Sequence, residues 1–559
     1  MTDEATNRTT GARLLVEALE RNGVERVFCV PGESYLAVLD ALHDSPVATV
    51  VCRHESGAAM MAEATGKLTG RPGIAFVTRG PGATNAAAGL HVARQDSTPM
   101  ILFIGQIERG FRHREAFQEM DYGAVFGSVA KWVAEIDSAD RVPEMISHAF
   151  HTATAGRPGP VVLALPEDML VETAAAVAAE PCEPVETHPG LNQMWDLQKR
   201  LWAAERPLAI LGGSRWSETA VRRFARFAEA FDLPVACSFR RQMLFDHLDP
   251  RYAGDVGIGL NPKLKARIDA ADLLLMVGGR LSEMPSQSYT LLGIPNPRQT
   301  LVHVHPGAEE LGRVYRPAVA VNASPAAFAA AAESLQPPHG EIRWRGWTRE
   351  AHADYRAWSE ALPTIPGPVQ TGAVIEHLRR VLPDDAILTT GAGNYATWVH
   401  RFWRFRRYGT QASPTSGSMG YGLPAAIGAK LQFPDRPVVC FAGDGCYQMT
   451  MQEFGTAVQY GAAVVVVLVD NGIYGTIRMH QEREYPARVH GTDLLNPDFA
   501  ALARAYGGLG LTVDRTEQIP AALDEALAAG RPALVHLKVD PEGITPTTTI
   551  SALRNRARG

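Results

Sequence analysis

Short apolar runs alternate with amphipathic helical stretches along the chain. In the first third, apolar runs ending in turn residues lie at 24–30, 48–55, 73–80 and 100–105. Helical patterns such as 56–70 separate these runs. Parallel strands are buried on both faces and need crossover helices, so this alternation predicts a parallel sheet covered by helices.

The alternation occurs in three blocks that proline-containing stretches separate. The polar segments 180–190 and 336–347 have the composition of linkers. The second block has apolar runs at 206–214, 233–239, 271–280 and 300–306, and the third at 385–393, 436–445, 462–472 and 532–540. We therefore predict an α/β protein with three doubly wound parallel-sheet domains, spanning residues 1–178, 190–338 and 365–559.

Composition changes this picture mainly by exclusion. The chain has 559 residues, 46% of them hydrophobic and 20% charged, which is typical of a multi-domain globular protein. A net charge of -6 without any lysine or arginine block gives no sign of a nucleic-acid or membrane-surface partner. The six cysteines form no CxxC motif, and the N-terminus has no signal-like apolar segment. No apolar run is long enough to predict a transmembrane helix, so we expect a cytoplasmic protein.

The most informative segment lies in the third block. Asp444 stands between two glycines directly after the apolar run 438–442, and Asn471 follows the next run, 462–469. Carboxyl ends of neighbouring parallel strands meet at the sheet edge where doubly wound proteins bind ligands. Glycine backbone and a helix N-terminus favour phosphate, and carboxylate and amide oxygens suit Mg²⁺. A lone Gly-Asp-Gly is more often a plain turn, but this spacing predicts a magnesium-bridged diphosphate.

The stretch from Gly443 to Asn471 resembles the fingerprint of thiamine diphosphate (ThDP) enzymes, and the resemblance covers nearly the whole chain. It is strongest to the group that contains acetolactate synthase, benzoylformate decarboxylase and pyruvate decarboxylase. The resemblance implies the ThDP-binding fold, with an aminopyrimidine-binding (PYR) domain, a central domain and a diphosphate-binding (PP) domain.

Residues 53–63, RHESGAAMMAE, resemble the family segment whose glutamate activates the cofactor. The resemblance implies that Glu55 hydrogen-bonds the aminopyrimidine ring and favours the imino tautomer that takes the thiazolium C2 proton. The cofactor supplies the chemistry and the protein orients it. An isolated buried glutamate would more often be part of an ion pair. Pro31 and Asn85 are further cofactor contacts that the resemblance implies in this domain.

The third domain resembles the family in two more segments, 389–398 and 413–429. In the second segment, Met419 would support the V-shaped cofactor from below, and the Gly417 carbonyl would accept a hydrogen bond from the aminopyrimidine amino group. The implied magnesium ligands are Asp444, Asn471 and the Ile473 carbonyl. The other implied cofactor contacts are Ala392, Asn394, Tyr395, Gly443, Gly445, Cys446, Tyr474 and Gly475.

The first domain resembles acetolactate synthases most closely, in residues 79–106 and 116–119. Gln118 and Lys131 are therefore candidate substrate-side residues. The resemblance implies decarboxylation of a 2-oxo acid with carboligation: ylid attack, loss of CO₂ and enamine addition to a second carbonyl. It also implies a homodimer or homotetramer with sites at the subunit interface, where Glu55 of one subunit faces the magnesium site of another.

Three departures from acetolactate synthases leave alternatives open. Glu33 replaces a glycine near the thiazolium; it would repel an anionic substrate, donate a proton if burial protonates it, or point to solvent. His480 replaces a pocket tryptophan and is either a proton shuttle or a rim residue. Arg240 and Arg241 change the middle-domain segment through which the synthases bind FAD, so FAD binding stays open.

Three other functions compete with the synthase reaction. The alternative on the same cofactor is a benzoylformate decarboxylase-like enzyme that does not ligate, or another ThDP carboligase or lyase, and Glu33 and residues 471–475 favour it. A non-catalytic ThDP-binding homologue would not need Glu55. A dinucleotide-dependent dehydrogenase would need a full GxGxxG motif, which residues 211–214 lack.

Overall fold

A computed structural model describes residues 8–558 of the chain. Residues 1–7, which belong to the N-terminal stretch without a signal-like segment, lie outside the described residues. The chain forms two compact units, and the first runs to residue 185 and takes in 427–432 and 452–460. Three six-stranded parallel sheets with flanking helices are present in the described chain, which confirms the predicted α/β fold class.

One parallel sheet is the framework of the first unit. The strands are β1 (Thr9–Thr10), β2 (Arg26–Cys29), β3 (Ala48–Val51), β4 (Gly73–Val77), β5 (Met100–Gln106), β6 (Trp132–Glu135), β7 (Pro160–Pro166) and β8 (Thr173–Ala174). The helices are α1 (Gly11–Arg21), α2 (Leu36–His43), α3 (Glu55–Thr69), α4 (Pro81–Asn85), α5 (Ala87–Asp96), α6 (Tyr122–Phe126), α7 (Val142–Thr154) and α8 (Glu167–Val171). The sheet order is β3-β2-β4-β5-β7-β6, and β1 pairs antiparallel with β8.

The second unit contains the other two sheets. The strands of its first sheet are β9 (Pro207–Leu211), β10 (Val235–Ser238), β11 (Tyr252–Val256), β12 (Leu273–Val277), β13 (Thr300–His305) and β14 (Val319–Asn322). The helices of this part are α9 (Leu191–Ala203), α10 (Glu218–Ala230), α11 (Pro262–Ala270), α12 (Pro325–Ala332) and α13 (Arg345–Ser359). The order β11-β10-β9-β12-β13-β14 reverses direction between β9 and β12, as in dinucleotide-binding sheets.

The last sheet carries the candidate diphosphate motif. Its strands are β15 (Ile387–Thr390), β16 (Gln411–Ala412), β17 (Val438–Gly443), β18 (Val465–Asp470), β19 (Leu509–Val513) and β20 (Ala533–Lys538). The helices are α14 (Thr371–Val381), α15 (Ala396–Phe402), α16 (Gly422–Gln432), α17 (Asp444–Gln448), α18 (Glu453–Gln459), α19 (Gly475–Glu484), α20 (Phe499–Ala505), α21 (Ile519–Ala528) and α22 (Ile550–Arg558). The sheet order is β16-β15-β17-β18-β20-β19.

Short 3₁₀ helices complete the chain. They are Glu33–Tyr35, Arg109–Phe111, Ala139–Arg141, Gln242–Leu244, Ala308–Glu310 and Thr516–Gln518. None of the helices within residues 8–558 combines the length and apolarity that crossing a membrane requires.

The predicted sheet edge forms as expected. Strands β17 and β18 are apolar and almost fully buried, because helices cover both faces of a parallel sheet. They pair in parallel, with Gly443 opposite Val469. Asp444 and Asn471 therefore follow two neighbouring strand ends, and α17 begins at Asp444 itself.

Candidate functional site

A cavity of about 270 Å³ lies at the carboxyl edge of the last sheet. Its lining contains every third-domain residue that the sequence predicts to contact the cofactor. These are Ala392, Asn394, Tyr395, Gly417, Met419, Gly443, Asp444, Gly445, Cys446, Asn471, Ile473, Tyr474 and Gly475. Other lining residues were not predicted, among them Thr371, Trp398, Thr476, Ile477, Val539 and Ile544. Thus four separate sequence segments converge on one cavity.

The glycines on both sides of Asp444 are required by close packing. A β-carbon at Gly443 would lie 2.8 Å from the Tyr395 ring, and one at Gly445 would lie 2.6 Å from the Tyr474 ring. Neither position can carry a side chain without moving an aromatic residue that lines the cavity. The backbone around Asp444 therefore stays open to a ligand at the start of α17, where the helix dipole favours an anion.

A hydrogen-bond network holds Asp444 in place. Its Oδ2 atom accepts from the backbone N–H of Gly472 at 3.0 Å and from Asn496 Nδ2 at 2.7 Å. The same Asn496 nitrogen donates to Asp470 Oδ1 at 2.6 Å, and His536 Nε2 lies 2.7 Å from Asp470 Oδ2. The network thus ties Asp444 to Asp470, the residue that ends β18.

This network sets the protonation of the two carboxyl groups. Burial raises the pKa of Asp444 to about 6, and the negative charge of Asp470 adds to the rise, whereas the Asn496 hydrogen bond opposes it. Burial also opposes ionisation of Asp470, but hydrogen bonds from His536 and Asn496 lower the pKa of that group below its usual value. A cation beside Asp444 would favour its ionised form.

The residues fit ThDP and a magnesium ion. Asp444, Asn471 and Ile473 line the same cavity and offer carboxylate, amide and carbonyl oxygens, which are the ligands that Mg²⁺ prefers. The Asn471 side-chain oxygen accepts from the Ile473 backbone N–H at 3.3 Å, so it already points toward that turn. Phosphate oxygens would complete the coordination shell.

Cys446 anchors the loop that carries Gly417 and Met419. Its sulfur accepts from the Tyr395 hydroxyl and from the Gly420 backbone N–H, both at 3.1 Å. The family resemblance implies that Cys446 is a cofactor contact. The structure shows that it is buried and adds this hydrogen-bonding role.

Glu55 lies in the first unit, at the start of α3. Glu55 is 9% exposed, and its Oε2 atom accepts a hydrogen bond from Asn85 Nδ2 at 2.9 Å. A β-carbon at Gly82 would lie 3.2 Å from Glu55 Oε1, so the turn after β4 packs closely against the carboxylate. The structure therefore brings Glu55 and Asn85 together, as two members of one predicted set.

Glu453 supports the turn that carries Glu55, and the sequence gives no indication of this. Its side chain is fully buried, and Oε1 accepts from the backbone N–H groups of Arg53 at 3.1 Å and His54 at 2.9 Å. Burial raises the pKa of Glu453, and these hydrogen bonds oppose the rise. Its position in sequence, in α18 of the third block, lies about 400 residues from Arg53.

Glu33 lies at the surface of the described chain rather than in a buried pocket. Its side chain is 67% exposed and pairs with Arg79, whose Nη2 atom lies 2.8 Å from Glu33 Oε1. Arg79 is buried and also pairs with Glu167. The Phe117 ring lies against the Arg79 guanidinium, 5.8 Å from centroid to Cζ. The exposed carboxylate is thus held by a buried cation rather than by an apolar pocket.

The remaining predicted residues lie outside the cavity of the last sheet. Pro31 is exposed after β2, and Gln118 is half-buried, with its backbone packed against Gly80. Lys131 donates to the Ala155 carbonyl at 2.7 Å. His480 is exposed on α19 and contacts Arg483, and the cavity lining does not include it. This position favours the rim alternative for His480.

The middle-domain segment that departs from the acetolactate synthases is buried. Residues 239–245, which follow β10, are all buried by contacts within this chain. Arg240 is 3% exposed and donates through Nη1 to the Pro414 carbonyl, in the segment that carries Gly417. Arg241 is also buried. The segment after β10 is thus enclosed by contacts within the described chain.

Comparisons with known proteins agree with this geometry. Three family descriptions match the chain: "Thiamine pyrophosphate enzyme, N-terminal TPP binding domain" at 9–125, the central domain at 196–332 and the C-terminal TPP binding domain at 391–537. The acetolactate synthase large subunit of Parasynechococcus marenigrum (strain WH8102) is 33% identical over 95% of this chain and 87% of its own.

Two further relatives give the same result. The acetolactate synthase isozyme 2 large subunit of Escherichia coli (strain K12) is 31% identical and covers 95% of both chains. The mitochondrial acetolactate synthase catalytic subunit of Saccharomyces cerevisiae (strain ATCC 204508 / S288c) is 30% identical over 95% of this chain and 81% of its own. The chain therefore belongs to the family of thiamine diphosphate-dependent enzymes and is similar to acetolactate synthase large subunits.

Proposed function

We propose that the enzyme uses ThDP and Mg²⁺ to decarboxylate a 2-oxo acid and to join the remaining fragment to a second carbonyl compound, as an acetolactate synthase does. The observation that supports this most is the cavity beyond β17 and β18, where the predicted cofactor residues converge. The similarity to acetolactate synthases over 95% of the chain supports the same reaction class.

The chain's own residues divide the work between two groups. Asp444, Asn471 and the Ile473 carbonyl would hold the metal ion. Met419 would support the cofactor from below, and the Gly417 carbonyl would accept a hydrogen bond from it. ThDP, when bound, supplies a carbon nucleophile and an electron sink for decarboxylation.

Glu55 holds a proton at the aminopyrimidine ring nitrogen in this proposal. Its carboxylate is buried and oriented by Asn85, so it can form one strong hydrogen bond without competition from water. Glu453 acts indirectly, because it fixes the backbone just before Glu55.

The functional enzyme in this proposal is a homodimer or homotetramer. Glu55 belongs to the first compact unit and Asp444 to the second, and we propose that Glu55 of one subunit serves the magnesium site of its partner. The cytoplasmic location and the domain limits 1–178, 190–338 and 365–559 remain predictions.

We further propose that the reaction does not require FAD. The residues after β10 support this proposal, because they are buried within the chain and Arg240 is bonded to the Pro414 carbonyl rather than left open to a ligand.

A ThDP enzyme that decarboxylates without ligation is the second candidate. The Glu33–Arg79 pair favours this second candidate. The pair places a carboxylate on the turn after β2, where acetolactate synthases have a glycine. An exposed negative charge there would disfavour a second anionic substrate.

Product analysis tests both candidates. Purified enzyme is incubated with pyruvate, ThDP and Mg²⁺, without and then with FAD, and the products are separated. Acetolactate formed without FAD supports the proposal. Acetaldehyde supports the second candidate, and strict dependence on FAD would contradict the flavin-independent reaction. If pyruvate is inert, the same comparison is made with larger and aromatic 2-oxo acids, and failure of them all would overturn the reaction class.

A further inference from the structure

A second cavity, of about 440 Å³, lies in the second unit and shares no lining residue with the cofactor cavity. It forms where the chain after α13, the C-terminal end of α14 and the chain after α15 come together. Four arginines line it: Arg379, Arg380, Arg404 and Arg406. The proposed reaction assigns no role to this cavity.

Three of these arginines already have partners. Arg404 lies 3.4 Å from Glu360, and Arg406 lies 2.7 Å from Asp246. Arg380 contacts the ring of His377 at 2.8 Å. Three carboxyl groups, those of Glu360, Glu376 and Asp384, also line the cavity.

Arg379 differs from the other three. It is half-buried on α14, and no carboxylate within residues 8–558 lies at ion-pair distance from its guanidinium. Burial and the neighbouring Arg404 charge both lower the pKa of Arg379, whereas the more distant Glu360 and Glu376 oppose that change. A partly desolvated guanidinium without a counter-ion is costly, and an anion in the cavity would remove that cost.

The rest of the wall is apolar. Leu248, Leu362, Leu382 and Trp403 contribute hydrophobic surface beside the arginines. Ligand sites commonly combine such a wall with a few placed charges, and this volume suits a small metabolite. The guanidinium fork matches the two oxygens of a carboxylate or phosphate group.

We propose that this cavity binds a small organic anion through a phosphate or carboxylate group held by Arg379, and that occupancy changes the affinity of the enzyme for ThDP. Two helices support the proposed effect of occupancy on ThDP affinity, because each runs from one cavity to the other. Thr371, at the start of α14, lines the cofactor cavity, and Arg379 near its end lines the basic one. Likewise, Tyr395 precedes α15 in the cofactor cavity, and Trp403 follows α15 in the basic cavity.

Calorimetric titration of the holoenzyme tests the site. ThDP and Mg²⁺ are kept saturating so that the cofactor cavity is occupied, and free Mg²⁺ and ionic strength are held constant. The probes are inorganic phosphate and citrate, which separate a phosphoryl from a carboxyl preference. We expect saturable binding of at least one probe, weakened by about tenfold or more in Arg379→Gln, because a charge-assisted hydrogen-bonded pair is lost.

Arg407→Gln is the matched control. Arg407 is an exposed arginine next to Arg406, and it does not line the cavity, so this variant should bind like the wild type. If Arg379→Gln does not fold, it is replaced in the test by Arg380→Gln, which changes an exposed arginine of the same cavity. Equal affinity in the wild type and the lining variants, or no binding of either probe, would overturn the site. Because the readout is binding, the result does not depend on which reaction the enzyme catalyses.

Titration of the apoenzyme with ThDP, with and without the probe that bound, tests the coupling. Linkage requires the probe and ThDP to change each other's affinity by the same factor. We expect a shift in the wild type and in Arg407→Gln that is lost in Arg379→Gln. An unchanged ThDP affinity, or a shift that persists in Arg379→Gln and so arises at the cofactor cavity itself, would overturn the coupling.

Discussion

At the scale of single residues, the chemistry depends on groups that the motifs contain and on groups that they do not. The motifs identify Glu55 and Asp444, since both follow apolar strands in recognisable segments. Their supports, Glu453 and Asn496, could not be predicted. Each acts across a long sequence separation through one or two hydrogen bonds, and no local pattern of polarity reports such a contact.

Glu55→Gln should retain ThDP but lose most turnover. The amide keeps the size and can still contact Asn85, but it cannot hold the negative charge that the aminopyrimidine proton needs. Loss of general acid–base assistance costs about 10²–10⁴-fold in rate. Turnover and ThDP affinity are measured side by side, with Glu525→Gln, an exposed glutamate on α21, as the control. Full turnover in Glu55→Gln would refute this role.

Cofactor binding should weaken as the pH falls through about 6, the pKa to which burial raises Asp444. Below that pH the carboxyl is protonated, and protons compete with Mg²⁺ for it. The hydrogen bond from Asn496 lowers this pKa, so Asn496→Ala should move the loss of binding to a higher pH. Mg²⁺-dependent ThDP affinity across a pH series measures the effect.

The control for this series is Asn322→Ala, which makes the same asparagine-to-alanine change on β14 in the middle sheet. Its pH profile should coincide with that of the wild type. A profile for Asn496→Ala that also coincides with the wild type would show that the Asp444 carboxyl does not govern metal binding.

At the scale of helices and strands, the sequence predicts what is continuous and apolar. The strands β5, β17 and β18 are buried over most or all of their length, so their apolar runs are unbroken. The sequence pattern does not predict strands β6 and β16, and the reason differs between the two. Four half-buried residues form β6 at a sheet edge, and β16 has two residues whose strand character depends on pairing with β15.

The C-terminal helix α22 packs behind one wall of the cofactor cavity. Ile550 packs with Ile473 and Ile544, and both of these residues line the cavity. Arg554 donates to both carboxylate oxygens of the buried Glu482 on α19, at 2.9 and 2.6 Å. This pairing holds the pKa of Glu482 low, at about 2.

Arg554→Met should therefore weaken retention of ThDP without unfolding the sheet. It leaves Glu482 with Arg478 and the Ala487 backbone N–H as partners, and removing one partner of a buried charged group costs about 1–3 kcal/mol. The cost falls on the docking of α22 on α19. Dilution of the holoenzyme followed by assay of bound cofactor measures retention. Arg556→Met changes an exposed arginine of the same helix and should retain cofactor normally. Equal retention in the two variants would contradict the role of the α22–α19 contact.

At the scale of the whole molecule, three similar sheets carry out one reaction. Their number and class follow from the three blocks of alternating runs, because each block is long enough to bury its own sheet. The assignment of residues 452–460 to the first compact unit does not follow from the sequence. The segment lies in the third block, and hydrogen bonds of Glu453, Gln459 and Tyr460 connect it to residues 49–54, just before Glu55.

The proposed division of each site between two subunits predicts complementation. Glu55→Gln and Asp444→Asn should each be nearly inactive alone, since each disables both sites of a dimer. In a mixed dimer, one site receives both defects and the other receives neither. Mixed dimers freed of both parent dimers should therefore have about half of the wild-type turnover per site, since one of their two sites is intact. The two variants are co-expressed with different tags, the mixed dimers are isolated through both, and turnover per site is compared with the wild type. If each site instead belonged to one chain, every site in the mixed dimer would carry one defect and no activity would return.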